Sequence, residues 1–572
     1  MERLEVKKIK GKTYYYYSKW GRADGGRCRR IWQRYLGTAE NILKMIKDKS
    51  EKRKPVYAEV FQFGLSKVLW QENEKANVIE IVDKQCKKRQ QGLSLGKYIS
   101  IAAINRAISP VSKLGMWEWF SATSLVRELP EVDEASISAQ QFWNHMDKIS
   151  IEDCQSIWKE LILRVLENEK IDLSSISYDG TNYYTFIDTF NTRCSIAKRG
   201  KNKQGRANLR QISYALFCAA DGHIPLLYDV YDGNKTDVVH FPEALKRFKK
   251  LFTILPDKQL LEKNTLIFDK GNNSEDNFKK IDKYKFYFVT SSKLDQHKEL
   301  TSVSNNSPQF TQCKQDGLES TKTFRINKIF YGKERTFVVS YNTKLFNAQW
   351  QTLQADIQKA IKELSELQKK LDDRLNKIVT KGKKPSLDSI KSQCKEILHR
   401  EYLKDLITII YSSKEDLPKI EYEINQVVFK TIVDTYLGKN IIVTNRSAWT
   451  DEQIVTAYRS QYIIEGVFKD SKDRKHGTWW PQYHWTDSKI HVHALYCTIA
   501  LLLRAVMLRK VQSTGMKISM PRLLTELETI KEVVNVYETE NKKNQETVLT
   551  KCSDLQEKLL QIFGLNLKSL QN

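Results

Sequence analysis

From Tyr458 to Lys472 the chain reads Tyr-Arg-Ser-Gln-Tyr-Ile-Ile-Glu-Gly-Val-Phe-Lys-Asp-Ser-Lys, which sets a tyrosine, a glutamate and a lysine at intervals of seven. At about 3.6 residues per turn, positions i and i+7 share a helical face. Thr450-Asp-Glu-Gln453 reads as a capping box, so a helix is predicted to begin near Asp451 and to carry a polar stripe through Tyr458, Gln461, Glu465, Lys469 and Lys472. The other side, with Ile454, Ala457, Ile463, Ile464, Val467 and Phe468, is apolar enough to demand burial. Such a helix lies on a core and holds a carboxylate among cations at its edge. Alone, the pattern also describes an ordinary amphipathic helix with solvated charges.

Two aspartates upstream stand at predicted strand ends. Ile176-Ser-Tyr-Asp179-Gly180-Thr181 alternates as a strand expected to break after Asp179, and Asn264-Thr-Leu-Ile-Phe268 reads as a buried strand ending in Asp269. Gly271-Asn-Asn-Ser274 then reads as a turn and helix start. Between the aspartates, strands over 211–219 and 224–230 flank an Asp221-Gly222 turn, and a helix is predicted over 238–252. Hairpin, helix and strand in that order predict a mixed α/β core. Aspartates are also common in turns and caps; Asp221 and Asp276 fit those roles, and Asp237 fits a helix start as well as a catalytic one.

Taken together, Tyr458-x2-Gln461-x3-Glu465-x6-Lys472, Gly233-Asn234-Lys-Thr-Asp237, the segment 200–209 and Pro481-Gln-Tyr-His484-Trp485-Thr-Asp-Ser-Lys489 resemble the DDE transposases of the bacterial insertion-sequence type, with their Y-x2-R-x3-E-x6-K signature. The resemblance spans most of 179–503. It implies an α/β fold: an RNase H-like mixed-sheet catalytic core interrupted by an α+β insertion domain, with a largely helical N-terminal region. It also implies a catalytic and metal-binding triad of Asp179, Asp269 and Glu465, with two Mg²⁺ ions or Mn²⁺ in their place. Phosphodiester displacement needs charge stabilisation on both the attacking and the leaving oxygen. Two divalent ions roughly 3.5–4 Å apart supply it, and hard Mg²⁺ takes a few carboxylates plus water and phosphate. The aspartates lie 90 residues apart and Glu465 a further 196 on, so only the fold brings them together. Gln461 stands where the family has arginine. Glutamine offers a hydrogen bond but no charge, so Lys469 and Lys472, with Tyr458, are the expected DNA contacts on this helix.

Composition agrees with a nucleic-acid partner. With 94 Lys plus Arg against 69 Asp plus Glu, the chain carries a formal charge of +25, which attracts a polyanion without specifying a sequence. The segment 192–210 holds seven basic residues and no acidic one; Lys203, Arg206 and Arg210 are its candidate phosphate contacts, against the alternative of a solvated loop. Trp479, Trp480 and Trp485 read either as stacking platforms for unpaired bases or as core packing, with Trp485 taken as a DNA contact. His484, His491 and His493 are expected to be structural or DNA-facing, because a Mg²⁺ centre does not ask for imidazole.

The predicted organisation is a basic hairpin over 1–38 with a turn at Asp24-Gly25-Gly26, a helical DNA-binding region over 39–168, the core in two parts over 169–292 and 441–510, an insertion domain over 293–440, and a helical C-terminal region over 511–572. Within the insertion, 324–341 reads as a hairpin, Ile357, Ala360, Leu364, Leu367, Leu371 and Ile378 as the buried stripe of a long helix with 386–406 as its partner, and 426–433 as a strand. An amphipathic helix is expected to carry Leu523, Leu524, Leu527, Ile530 and Val534. Nine scattered cysteines without a C-x2-C pair favour free thiols and a cytoplasmic setting, nucleoid-associated on DNA. The start has no signal-peptide core, and the apolar run 494–503 is too short for a membrane span. The resulting expectation is a transposase that binds double-stranded DNA at element ends and at the target, works as a homodimer in the synaptic complex, cleaves phosphodiester bonds and joins 3′-OH ends. The alternatives are an RNase H-like nuclease without strand transfer and an inactive DNA-binding descendant.

Overall fold

The computed structural model describes residues 1–22, 28–50, 55–87, 89–201, 205–206, 208–254, 264–415, 417–473, 475–539 and 542–565. It divides into two compact units, Met1–Phe63 with Thr529–Asn572, and Gly64–Glu528.

In the first unit β1 (Glu2–Ile9), β2 (Lys12–Arg22) and β3 (Cys28–Gly37) form an antiparallel meander. The predicted single hairpin gains a strand because Lys10 and Gly11 both take positive φ and turn the chain early. The expected Asp24-Gly25-Gly26 turn lies outside the described residues. β4 (Tyr57–Gln62) interrupts the region expected to be helical, and pairs with a hairpin from the C-terminal segment described below.

The second unit is built on a mixed sheet of nine strands: β5 (Ser175–Tyr184), β6 (Gln211–Ala219), β7 (Pro225–Asp232), β8 (Thr265–Phe268), β9 (Tyr287–Ser292), β10 (Thr311–Gln312), β11 (Thr321–Phe330), β12 (Lys333–Asn342) and β15 (Lys439–Thr444), in the spatial order β10-β11-β12-β15-β9-β8-β5-β6-β7. At its centre β5, β8 and β9 run parallel; the other pairings are antiparallel. Helix Asp237–Phe252 covers one face, where Phe241 lies 5.0 Å from Phe268 and 4.7 Å from Tyr178, ring to ring. The other face meets helix Asp451–Arg459, whose Ile454 and Val455 pack against Ile267, Val289, Val338 and Ile442.

The structure divides the segment expected to be one insertion domain. Its 324–341 hairpin is β11–β12, part of the central sheet. A separate apolar cluster then joins helix Thr343–Leu375, helix Leu387–Ile397 and a two-stranded sheet of β13 (Ile407–Lys414) and β14 (Leu417–Ile424). Ile357, Ala360, Leu364, Leu367 and Leu371 are buried there, but Ile378 is exposed because the helix ends at Leu375. The expected strand over 426–433 is a helix, Gln426–Thr431, started by Asn425, whose side-chain oxygen accepts from the Val427 and Val428 amides.

Helix Leu95–Ile108 is buried along nearly its whole length, and Arg504 of helix Asp487–Ser513 donates to its Ala107 carbonyl at 2.9 Å. That stretch, expected to read DNA, is core. Helix Asp487–Ser513 is long and apolar enough by length and composition to cross a membrane, yet 89% of its most apolar window is buried inside the protein. The expected C-terminal amphipathic helix is Met520–Glu528 only; Val533, Val534 and Val536 belong to β16 (Lys531–Thr539), which pairs with β4 and β17 (Lys542–Leu549). β-branched residues favour that extended state.

Candidate active site

Tyr178 pairs with Phe268 in the parallel β5–β8 register, so the next residue on each chain, Asp179 and Asp269, emerges side by side at one edge. Sequence separation is thereby removed for two of the three carboxylates. The strand does not break after Asp179 as expected: β5 continues to Tyr184, with Gly180 opposite Ala215. Glycine is required there by crowding, since a Cβ would lie 2.5 Å from Asp237 Oδ1. Asp237 therefore stands over Gly180 on the sheet face covered by its own helix, where it accepts from the Tyr231 hydroxyl at 2.6 Å.

Alternation along β5 puts Asp179, Thr181 and Tyr183 on the opposite face, and helix Tyr462–Lys472 is fastened there. The Tyr183 hydroxyl and Ser471 Oγ lie 2.7 Å apart, and the Lys472 ammonium donates to Thr181 Oγ1. These two contacts hold the glutamate helix on the strand that carries Asp179. Sequence reading missed Thr181 and Tyr183; their shared parity with Asp179 was the available signal.

The predicted single helix is two. The Thr450 capping box starts it at Asp451 as expected, but Asp451–Arg459 and Tyr462–Lys472 meet at a turn. Ser460 Oγ donates to the Ala457 carbonyl at 2.7 Å while the Gln461 amide reaches back to Tyr458 O at 3.2 Å, a local pairing that competes with the helical one. Gln461 is buried at this junction, and Glu465 and Lys469 are exposed. Arg459 turns away from the site, donating to Gly317 O at 3.2 Å and Thr321 Oγ1 at 2.7 Å.

Tyr458 lies within electrostatic reach of both the glutamate and the second aspartate. Burial pushes its phenol above the ordinary value, the Ser291 hydroxyl beside it pulls down, and the Asp269 and Glu465 carboxylates both push up. One phenol thus feels both charges. Each aspartate is also oriented by a backbone amide: Asp179 Oδ1 accepts from Gly180 at 2.8 Å, and Asp269 Oδ2 from Gly271 at 3.1 Å. Asp179 and Asp269 leave paired strand positions, and Glu465 stands on the helix fastened to β5; carboxylate oxygens of this kind are hard donors. Among the described residues, no three His, Cys, Asp or Glu side chains already form a closed ligand group. A hard divalent ion such as Mg²⁺ keeps waters and shares substrate phosphate, so it does not demand such a cage, and carboxylate oxygens are the donors it takes.

The basic loop divides. Arg210 donates to the carbonyls of Ala197, Asp188, Asn191 and Cys194, closing the loop on itself, so the phosphate contact expected of it is replaced by a structural role. Arg206 lies over the Tyr184 ring at 4.5 Å, while Lys203 falls outside the described residues. Beyond the glutamate helix, Trp479 stacks on Tyr183 at 4.0 Å and Trp480 on Tyr184 at 4.4 Å. His484 and His493 are buried against the Tyr496 hydroxyl, at 3.2 and 2.6 Å, as structural residues. Trp485 is partly exposed, with Arg193 over its ring at 5.2 Å.

With this geometry in place, the family model of the transposase DDE domain matches residues 184–503, more than half of the chain. The match contains Asp269 and Glu465 and begins just after Asp179. No curated protein matches the chain. Six solved chains match, among them the cryo-EM structure of the piggyBac transposase synaptic complex with hairpin DNA, at 10% identity and a TM-score of 0.32, covering 81% of this chain and 78% of that one. The chain belongs to the transposase DDE domain family.

Proposed function

We propose that the protein binds the ends of a mobile DNA element, cleaves phosphodiester bonds there and joins the 3′-OH ends to target DNA, using Asp179, Asp269 and Glu465 to hold divalent metal ions. The observation that carries this reading is the emergence of Asp179 and Asp269 from paired positions of two parallel strands, under the helix pair that presents Tyr458 and Glu465. Bound at these carboxylates, two Mg²⁺ ions supply Lewis acidity to the attacking and leaving oxygens.

The chain's own part is placement. The Gly180 and Gly271 amides aim the two aspartates. Tyr183 and Thr181 fix the glutamate helix through Ser471 and Lys472. Tyr458 stays a neutral phenol within electrostatic reach of Asp269 and Glu465, and exposed Lys469 offers a cation to the DNA backbone on the same helix as Glu465. Double-stranded DNA is the partner, and a homodimer pairs two ends in one synaptic complex. The test is to incubate the purified protein with terminal DNA of its own element, target DNA and Mg²⁺, and to map every cut and joined product. Joined donor–target products support the reading; metal-dependent cut ends alone reduce it to a nuclease, and binding without cutting to a DNA-binding descendant.

A further inference from the structure

β7 ends the nine-stranded sheet, and among the described residues no strand pairs with its outer edge. The Thr185 amide donates to the Arg210 carbonyl at 2.6 Å, so even-numbered residues of β6 turn their main chain to β5 and odd-numbered ones to β7. Leu227 and Asp229, opposite Phe217 and Ala215, are thereby bonded inward. Tyr228 and Val230 point their amides and carbonyls outward. The Trp158 indole of helix Ile151–Glu169 marks the same direction, donating to the Leu226 carbonyl at 3.1 Å. A cavity of about 410 Å³ runs along this edge: Leu227, Tyr228, Asp229 and Val230 all line it, although successive side chains of a strand lie on opposite faces. Strand edges of this kind accept an added strand.

The charges beside the edge select what that strand carries. Two acids line the cavity, and both are paired: Asp229 with Arg247 and His240, and Glu243 with Lys235 at 3.3 Å. Lys159 of helix Ile151–Glu169 and Lys250 of helix Asp237–Phe252 also line it, are exposed, and among the described residues pair with no acid. Trp158 packs edge-on against Tyr228 while Arg247 meets Asp229, so the two helices flank β7 on opposite faces. Adjacent residues of an added strand therefore send one side chain toward each lysine. We propose that this edge docks an extended segment of a partner protein carrying two adjacent acidic residues, its main chain bonded to Tyr228 and Val230 and its carboxylates paired with Lys159 and Lys250. Asp179 is opposite Leu216, and Leu216 opposite Tyr228, so the added strand lies three strands over, roughly 14 Å from Asp179 at about 4.8 Å per strand. A partner docked there is held beside Asp179 in the plane of the sheet, and the proposal stands whether or not the chain cleaves DNA.

The test uses the full chain and a fluorescein-labelled peptide, acetyl-Thr-Val-Glu-Asp-Val-Thr-amide, with binding read by anisotropy and amide hydrogen exchange read residue by residue. The peptide binds, and exchange slows at the Tyr228 and Val230 amides but not at Leu227 and Asp229, which are already bonded to β6. Exchanging Glu-Asp for Gln-Asn in the peptide, or combining Lys159→Ala with Lys250→Ala in the protein, weakens binding roughly tenfold, the scale of two exposed ion pairs. N-methylation of one alternate set of peptide amides abolishes binding, and N-methylation of the other set leaves it. No binding of the unmodified peptide overturns the site. Binding that brings no exchange protection, or that tolerates both N-methylated peptides, overturns strand addition and leaves charge attraction only. Duplex DNA that displaces the peptide, and itself binds more weakly to the double-lysine variant, assigns the lysines to a DNA backbone and overturns the acidic occupant. Protection of the same two amides that grows with protein concentration, without peptide, assigns the edge to a second copy of the chain and overturns it likewise. The transposase reading is decided separately, by the cleavage and joining assay above.

Discussion

The Tyr183 hydroxyl and Ser471 Oγ, 288 residues apart in sequence, lie 2.7 Å from each other in the interior of the protein. This bond fixes the glutamate helix on the strand that presents Asp179. Ser471 is also within 3.4 Å of Thr478 Oγ1, so the two partners differ in what their loss leaves behind. Tyr183→Phe leaves Ser471 with Thr478 and is expected to lower stability by about 1 kcal/mol. Ser471→Ala strands the buried Tyr183 hydroxyl and is expected to lower it by about 2 kcal/mol. Urea denaturation of the two variants decides the order; a larger loss in Tyr183→Phe contradicts it.

The carboxylates separate chemistry from binding. Asp179→Asn, Asp269→Asn and Glu465→Gln each remove a charge with little change in volume, and each is expected to reduce cleavage of terminal DNA roughly a hundredfold or more while end binding persists. Near-normal cutting by any one of them removes that residue from the triad.

Gly180 offers a test of the sheet's other face. Gly180→Ala drives a methyl into Asp237 Oδ1 and is expected to destabilise the fold by about 1–3 kcal/mol and to slow cleavage by shifting Asp179 next to it. Asp237→Ala makes room, so the double variant is expected to recover part of the Gly180→Ala loss. Additive losses in thermal denaturation show instead that the two residues do not meet.

Lys472 and Arg459 lie on successive helices but have different work. Lys472→Ala frees the helix end from Thr181 beside the candidate site and is expected to lower cleavage roughly tenfold or more at saturating DNA. Arg459→Ala gives up bonds to the carbonyl of Gly317, in the turn before β11, and to Thr321 at the start of β11; stability is expected to fall by about 1–2 kcal/mol with cleavage by the folded fraction unchanged. If Arg459→Ala proves the more damaging to cleavage, the assignment of these two cations is reversed.

What could be read before folding was whatever local physics dictates. The strand over 211–219, the capping box at Thr450 and the apolar face of Ile454, Ile463, Ile464, Val467 and Phe468 follow from periodicity and side-chain chemistry, and the structure has them. The places where the reading fails are tertiary. Asp179-Gly180 looks like a strand end, but Asp237 arrives from 57 residues away to crowd Gly180 within a continuous strand. Arg210 looks like a phosphate ligand until four carbonyls of its own loop take its donors. The 324–341 hairpin looks like part of an insertion, because nothing local announces that its neighbour is β15. The pairing of Asp179 with Asp269 likewise depends on a parallel register that no spacing encodes.

Asp487 provides the pH test. Burial raises its carboxyl, but the Ser195 hydroxyl and the Ile196 and Ser195 amides outweigh this and hold it below its ordinary value of 3.8. Through these bonds, at 2.6 to 3.1 Å, the N-terminus of helix Asp487–Ser513 anchors the basic loop. Because folding lowers this carboxyl, the unfolded chain binds its proton more tightly than the folded protein does. The stabilisation is therefore complete above the unfolded value and disappears as pH falls through the folded one. Asp487→Asn is expected to lose about 1 kcal/mol at neutral pH, allowing for the group's partial exposure. The gap from wild type should narrow only as pH drops below about 4. Urea denaturation of both proteins from neutral to acid pH reads this directly, and a gap that widens on acidification shows that Asp487 is held as a neutral acid.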